Sequence, residues 1–403
     1  MTARGDLVSS VPPFETARQA LKPQFTVAEG AGTELEVRDD LEKLVCRLGV
    51  TEVPGWGWTV TLDGLRGYEA ERDQIRWLLQ QAGFVPSDEM STAAVSLDAS
   101  DRADVAVTRV CARLLQVLDA NLPGTLADTD IEFLHDYRVA IRRTRSVLKE
   151  MRGVFPAVEL GRLRVEFKWI QEVTGPTRDL DVYLGDFEEL RQLAPAPVRK
   201  DLDPLLGVLR SWHLDAREQM ERELVSVRAR QLHDEWATLL DQLPQLPEED
   251  RPDALRPIAE LTGERILHVH RRMVKMGRAI DSGSPPEEYH ELRKQGKELR
   301  YLLELFATPL YDPAVVKPLV KTLKGLQDVL GTHQDRDVQI HTLRKLGDHV
   351  LAQAGGGAAL LAMGALVEHL EADAQNARQQ FAASFGEFAS EAQCELVSST
   401  FKR

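Results

Sequence analysis

Residues 135–151 read "HDYRVAIRRTRSVLKEM", and 155 positions later residues 290–306 read "HELRKQGKELRYLLELF". With the two histidines in register, Arg138, Arg142 and Arg145 fall on Arg293, Lys297 and Arg300. The apolar Leu148 and Met151 fall on Leu303 and Phe306. A second pair follows at an offset of 156, "KWIQEVTGPTRDLDV" at 168–182 and "KGLQDVLGTHQDRDV" at 324–338. Two motifs recurring in one order at nearly one offset mark a tandem duplication. A duplicated unit predicts pseudo-two-fold symmetry, with equivalent motifs facing each other across the seam.

Each member of the first pair has helical period. With His135 at 0° and about 100° per residue, Arg138, Arg142, Arg145, Lys149 and Arg152 share an arc of roughly 100° with the histidine. Tyr137, Ala140, Val147, Leu148 and Met151 cluster on a separate core face. Arg143 falls off the stripe, near about 80°. The second wheel is equivalent: His290, Arg293, Lys297 and Arg300 form the stripe, and Leu292, Leu299, Leu302, Leu303 and Phe306 the core face. Glu304 stands where Lys149 stands in the first repeat. A solvated face normally mixes signs, whereas Asp136, Glu150, Glu291 and Glu298 fall off these stripes. The cations therefore lack local partners, and their mutual repulsion calls for a counter-anion.

The next segment of each repeat adds positive charge. Lys317, Lys321 and Lys324 share one helix face, with Arg164 and Lys168 in comparable places of the first repeat. Gln171 and Gln327 continue that face. Gly175 and Gly331 suit helix C-caps, and Asp179 and Asp335 then suit N-caps of a following helix. Arg178 adds charge to the site, with His333 a weaker candidate.

The chain has 403 residues, with 64 acidic against 50 basic and a formal net charge of −14. That balance argues against nucleic-acid binding by the surface at large, leaving room for a local basic site. Residues 1–86 differ from the rest and predict a small α+β segment, followed by a Ser- and Asp-rich linker over 87–100. From there the pattern is helical, with repeats over 101–248 and 253–395 and the Pro-rich "LPQLPEEDRPD" at their seam. The uncharged stretch 350–367, "VLAQAGGGAALLAMGALV", reads as a turn between two buried helices rather than a membrane span. Cys46, Cys111 and Cys394 have neither metal nor disulfide spacing, and "MTARGDLVSS" lacks the apolar run of a signal peptide, so a cytoplasmic protein is expected. The expected fold class is mainly α: two tandem pseudo-symmetric helical bundles after a small α+β N-terminal segment.

In combination the paired motifs resemble the CHAD family, the conserved histidine α-helical domain, over about residues 100–390. The resemblance implies two pseudo-symmetric helical bundles enclosing a basic groove, and binding of inorganic polyphosphate without chemistry of its own. The family's basic positions carry over to Arg138, Arg142, Arg145, Lys168, Arg293, Lys297, Arg300 and Lys324, and its histidines to His135 and His290. The segment "WTVTLDGLRGYEAERDQIRWLLQQAGF" resembles the closing strand and helix of a CYTH domain, and "ELEVR" at 34–38 resembles its Glu-x-Glu-x-Lys signature with Arg38 in the lysine place. Too few residues precede the linker for an eight-stranded tunnel, and its strand-rich middle is missing, so a truncated or divergent remnant is expected.

Polyphosphate is a flexible chain of charges with no bases to read, so a row of guanidinium and ammonium donors at helical pitch suits it. The stripes carry no aromatic platforms for bases. A protonated His135 or His290 would donate to phosphate; alternatively each bonds a neighbouring backbone group or acid. No cofactor, metal or catalytic residue is expected, and association with polyphosphate granules would follow. Three alternatives remain. One is a metal-dependent phosphohydrolase using His135, His290, Asp179, Asp181, Asp335 and Asp337. Another is a binder of nucleic acid, and the last an inert helical scaffold. The "HVH" at 268–270 puts its imidazoles about 200° apart, which does not suit one metal.

Overall fold

The computed structural model describes residues 7–9, 13–22, 24–29, 34–53, 57–64, 68–82, 84–86, 95–281 and 283–402. Residues 54–56 of "PGWGWTV", Gly83 and most of the expected linker, 87–94, lie outside them. The chain divides into two compact units, Met1–Ala94 with Cys111–Thr144, and Val95–Val110 with Arg145–Arg403.

The N-terminal part holds more strand than its sequence suggests. Strands β1 (Leu7–Ser9), β2 (Thr26–Glu29), β3 (Glu34–Arg38), β4 (Leu44–Val53), β5 (Gly57–Gly64) and β6 (Val85–Pro86) form a sheet of order β2-β3-β4-β5-β1-β6. All its pairings are antiparallel. In β3, Leu35 and Val37 are buried while Glu34, Glu36 and Arg38 point to the other face, as a period of two requires. Helices α1 (Pro13–Leu21) and α2 (Glu69–Gln81) cover the apolar face through Ala17, Leu21, Ile75 and Leu79. The sheet is open rather than a closed tunnel, since β2 and β6 are its edges. Arg38 donates to Glu36 Oε2 at 2.6 Å and to the Glu42 carbonyl at 3.1 Å, so the charge in "ELEVR" is neutralised within its own strand and turn.

From residue 103 onward the regular structure is helical. The first repeat carries α3 (Ala103–Ala127), α4 (Ile131–Glu150), α5 (Ala157–Val173), α6 (Gly175–Gly185), α7 (Phe187–Leu193), α8 (Asp203–Leu224) and α9 (Val227–Gln242). The second carries α10 (Ile258–Ala279), α11 (Pro286–Leu302), α12 (Pro313–Leu351), α13 (Gly356–Phe388) and α14 (Glu391–Phe401). The protein is thus mainly α with a small α+β beginning. None of the described helices is long and apolar enough to cross a membrane. The stretch 350–367 makes the expected turn, with Gly355 at φ 79°, a backbone that suits glycine.

Within the unit Val95–Val110 with Arg145–Arg403, one core joins both repeats. Leu180, Tyr183, Phe187, Leu205 and Leu209 of α6, α7 and α8 pack with Ile340, Leu343 and Leu346 of α12 and Ala362, Leu366 and Leu370 of α13. Elsewhere Trp236 of α9 meets the rings of Phe155 and Phe167, the latter edge-on at 5.5 Å. The seam folds back onto the start of α3. Ala103 N and Asp104 N donate to the carbonyls of Arg256 and Ala254, and Ile258 N donates to that of Asp101. Buried Arg251 reaches buried Asp104 at 3.4 Å and the carbonyls of Leu243, Leu246 and Pro247, and Arg102 donates to the same Asp104 at 2.7 Å.

Two local expectations fail. Gly331 is not a C-cap, because α12 runs unbroken through it for 39 residues, and Asp335 lies inside that helix rather than at its start. Gly175 opens α6 instead of closing α5, which leaves Asp179 inside α6. Packing on both sides of α12 outweighs the modest helix penalty of one glycine.

Candidate polyanion site

Both stripe helices start with local stop-and-start chemistry. Before α4, Glu132 N donates to Asp130 Oδ1 at 2.9 Å. Before α11, Gly283 N donates to Asp281 Oδ1, and Pro286 with Glu287 and Glu288 fill the first turn. The core faces are where the wheels put them. Tyr137, Ala140, Val147, Leu148 and Met151 are buried, as are Leu292, Leu299, Leu302, Leu303 and Phe306. Beside them His135, Arg142, Arg145 and Lys149 on α4 are half-buried, and Arg138 is only 9% exposed. His290, Arg293, Lys297 and Arg300 on α11 are half-buried likewise.

In the first repeat Arg145 of α4 lies within electrostatic reach of Arg164 and Glu172 on α5. Burial pulls its guanidinium below the usual arginine range; Glu172 opposes that shift and Arg164 adds to it. Arg164 is exposed, Lys168 is exposed with Glu172 3.6 Å away, and Arg178 is half-buried on α6. Lys149 does not lack a partner as the wheel suggested. Its Nζ meets Glu298 Oε1 on α11 at 2.5 Å, with Glu150 at 3.8 Å. The Glu150 carboxyl is raised by burial and by Glu298, against the pull of Lys149, Arg265 and His268.

In the second repeat α11 lies along α12. His290 Nδ1 is 2.6 Å from Gln334 Oε1, a side-chain amide rather than a neighbouring backbone group or acid. Arg293 passes over Gly331, where a Cβ would stand 3.9 Å from its guanidinium, and reaches Asp335 at 3.5 Å. Lys297 acts on the same carboxylate. Arg300 sits 3.6 Å from Glu304, the acid that takes the place of Lys149 in the second repeat. Lys317, Lys321 and Lys324 project from the first half of α12, exposed and without ion pair or hydrogen bond among the described residues. Sequence reasoning missed how deep Gln327 sits. It is buried with both amide atoms unpartnered, against Gly296, where a Cβ would come within 3.2 Å of Gln327 Nε2.

His333 turns out to be a core histidine. Arg378 Nε donates to its Nε2 at 2.6 Å, Asp337 lies 3.4 Å from Nδ1, and Tyr289 stacks on its ring. Asp181 is likewise engaged, buried against His213 at 2.7 Å. Asp181, Asp335 and Asp337 thus each have a different basic partner, and among the described residues no cluster of three or more His, Cys, Asp or Glu could hold a metal. His268 is exposed and His270 buried, on opposite sides of α10.

This chain resembles known proteins in fold and in family. A crystal structure of the CHAD domain from the plant Ricinus communis superposes with a TM-score of 0.61 at 24% identity, over 73% of this chain and 95% of that one. PptA from Streptomyces chartreusis superposes with a TM-score of 0.53 at 16% identity, over 74% and 98%. These likenesses establish a shared fold. No curated protein matches in sequence. The CHAD domain family model matches residues 109–344, more than half of the chain, and the protein therefore belongs to the CHAD family.

Proposed function

We infer that this protein binds inorganic polyphosphate through its cationic helix stripes and performs no chemistry on it. The observation that carries the reading is Arg145, half-buried beside a second arginine, Arg164, in a chain of net charge −14. Glu172 offsets only one of these two charges, so desolvating Arg145 beside Arg164 leaves an excess of positive charge that a bound anion would relieve. Lys317, Lys321 and Lys324 extend the positive surface at helical spacing, with their ammonium groups available to phosphate. The duplication supplies equivalent cations twice, which suits a repeating polymer better than a single phosphate. Recruitment to polyphosphate granules would follow from the same contacts.

The test is binding of long-chain polyphosphate at two salt concentrations. Affinity should fall steeply as salt rises. Charge reversal of Arg142 and Lys297 together should weaken it by at least about tenfold. DNA or RNA of equal charge should displace polyphosphate poorly. Preferential nucleic-acid binding, undiminished affinity in the double variant, or magnesium-dependent phosphate release abolished by Asp changes would each overturn the reading.

A further inference from the structure

Away from the stripes, α10 carries a second run of cations. Arg271, Lys275 and Arg278 are spaced i, i+4, i+7, so they share one face over about 10 Å. All three are exposed, and none has an ion pair or hydrogen bond among the described residues. The acid two turns before Arg271, Glu264, is taken up by Arg256 at 2.8 Å. These positions have no basic counterparts in the first repeat, where α3 has Gln116, Ala120 and Pro123 at the same offset. The run is therefore not part of the duplicated device.

The cations edge a cavity of about 450 Å³ between α10 and α14. Leu267 and Val274 of α10 and Val397 of α14 supply apolar surface, while Cys394 and Ser398 complete the α14 side. The wall also holds His270, which is 3% exposed and has no hydrogen-bond partner for Nε2. The volume is that of a small-molecule site, too small for a folded partner and unsuited to a long polymer. Apolar walls and a cationic rim together describe the occupant's chemistry.

We propose that the α10–α14 cavity binds a small amphipathic anion, its apolar part between Leu267, Val274 and Val397 and its phosphate or carboxylate on Arg271, Lys275 and Arg278. The site is separate from the stripes and independent of polyphosphate binding.

Cys394 is the reporter. It lines the cavity and is half-buried, whereas Cys46 and Cys111 are buried. Octyl phosphate, below its micelle concentration, should slow alkylation of Cys394 by N-ethylmaleimide saturably. Calorimetric titration should give one site. Octyl glucoside and inorganic phosphate at the same concentration should not protect, and neither should long-chain polyphosphate. Lys275→Glu should weaken octyl phosphate binding about tenfold while leaving polyphosphate binding unchanged. Equal protection by octyl glucoside would reduce the cavity to a plain apolar groove and overturn the proposal. So would protection by polyphosphate, full affinity in Lys275→Glu, or no binding of octyl phosphate by either measurement.

Discussion

Lys149 on α4 and Glu298 on α11, 149 residues apart in sequence, meet at 2.5 Å. The pair ties the two repeats together and takes up the Lys149 charge at the end of its stripe. Lys149→Ala would leave Glu298, 18% exposed, beside the Glu150 carboxyl with no lysine between them. The pair is part-exposed, so the loss lies between a surface and a buried bridge, about 2 kcal/mol. Urea unfolding measures it. Adding Glu298→Gln should restore most of the stability, and polyphosphate affinity should barely change in either variant.

Glu304 offers the opposite change. It sits 3.6 Å from Arg300, where the first repeat has a lysine. Glu304→Gln removes a negative charge from the end of the second stripe. Polyphosphate binding should tighten by about two- to fivefold at low salt, with the gain fading as salt rises.

Arg251 is 1% exposed and its guanidinium holds Asp104 and three carbonyls at the seam. Arg251→Met keeps the bulk and abandons all four acceptors. Arg102 still meets Asp104, so the carbonyls bear most of the loss. The expected destabilisation is about 3–5 kcal/mol by denaturant unfolding, with new protease cleavage within 243–253.

His270 gives a pH signature. Burial, and secondarily Arg271, lower its pKa to about 4 from an ordinary 6.5. The unfolded chain therefore binds a proton below about 6.5 that the folded chain refuses until about 4. Stability is fully present above the unfolded value and is lost as pH falls through that window. His270→Phe should flatten the dependence between pH 4 and 6.5, seen in unfolding free energies measured across the range.

Gly277 marks where α10 approaches α13. A Cβ there would overlap the Phe385 ring. Gly277→Ala should destabilise by about 1–3 kcal/mol despite the better helix propensity, and Phe385→Leu should recover part of it, as melting temperatures would show.

The faces of α4 and α11 were legible because a helical period separates Leu148 from Arg145 and Leu303 from Arg300 without further information. The pairing of Lys149 with Glu298 was not, since nothing local tells one lysine which distant carboxylate it will meet. Asp335 and Gly331 misled for a related reason. Their residue types favour a helix boundary, yet the packing of α12 on α11 and α13 carries the helix straight through both. In the N-terminal part, β3 and β5 showed their alternation, whereas β4 hid it by burying Val45 beside Cys46. Gln327 looked like one more residue of a polar face, and nothing in its own segment shows that Gly296, on another helix, leaves room for it to be buried.

The helix α12 runs for 39 residues, about 58 Å, and contributes to both ends of its unit. Its first half packs with α11, and its second half enters the core made with α6, α7 and α8 of the other repeat. The gene-level duplication is therefore not a modular one. A chain cut at the seam would expose Ile340, Leu343 and Leu346 on one fragment and Leu205 and Leu209 on the other. The repeats should melt in one cooperative transition, and neither half should be obtained as an independently folded piece.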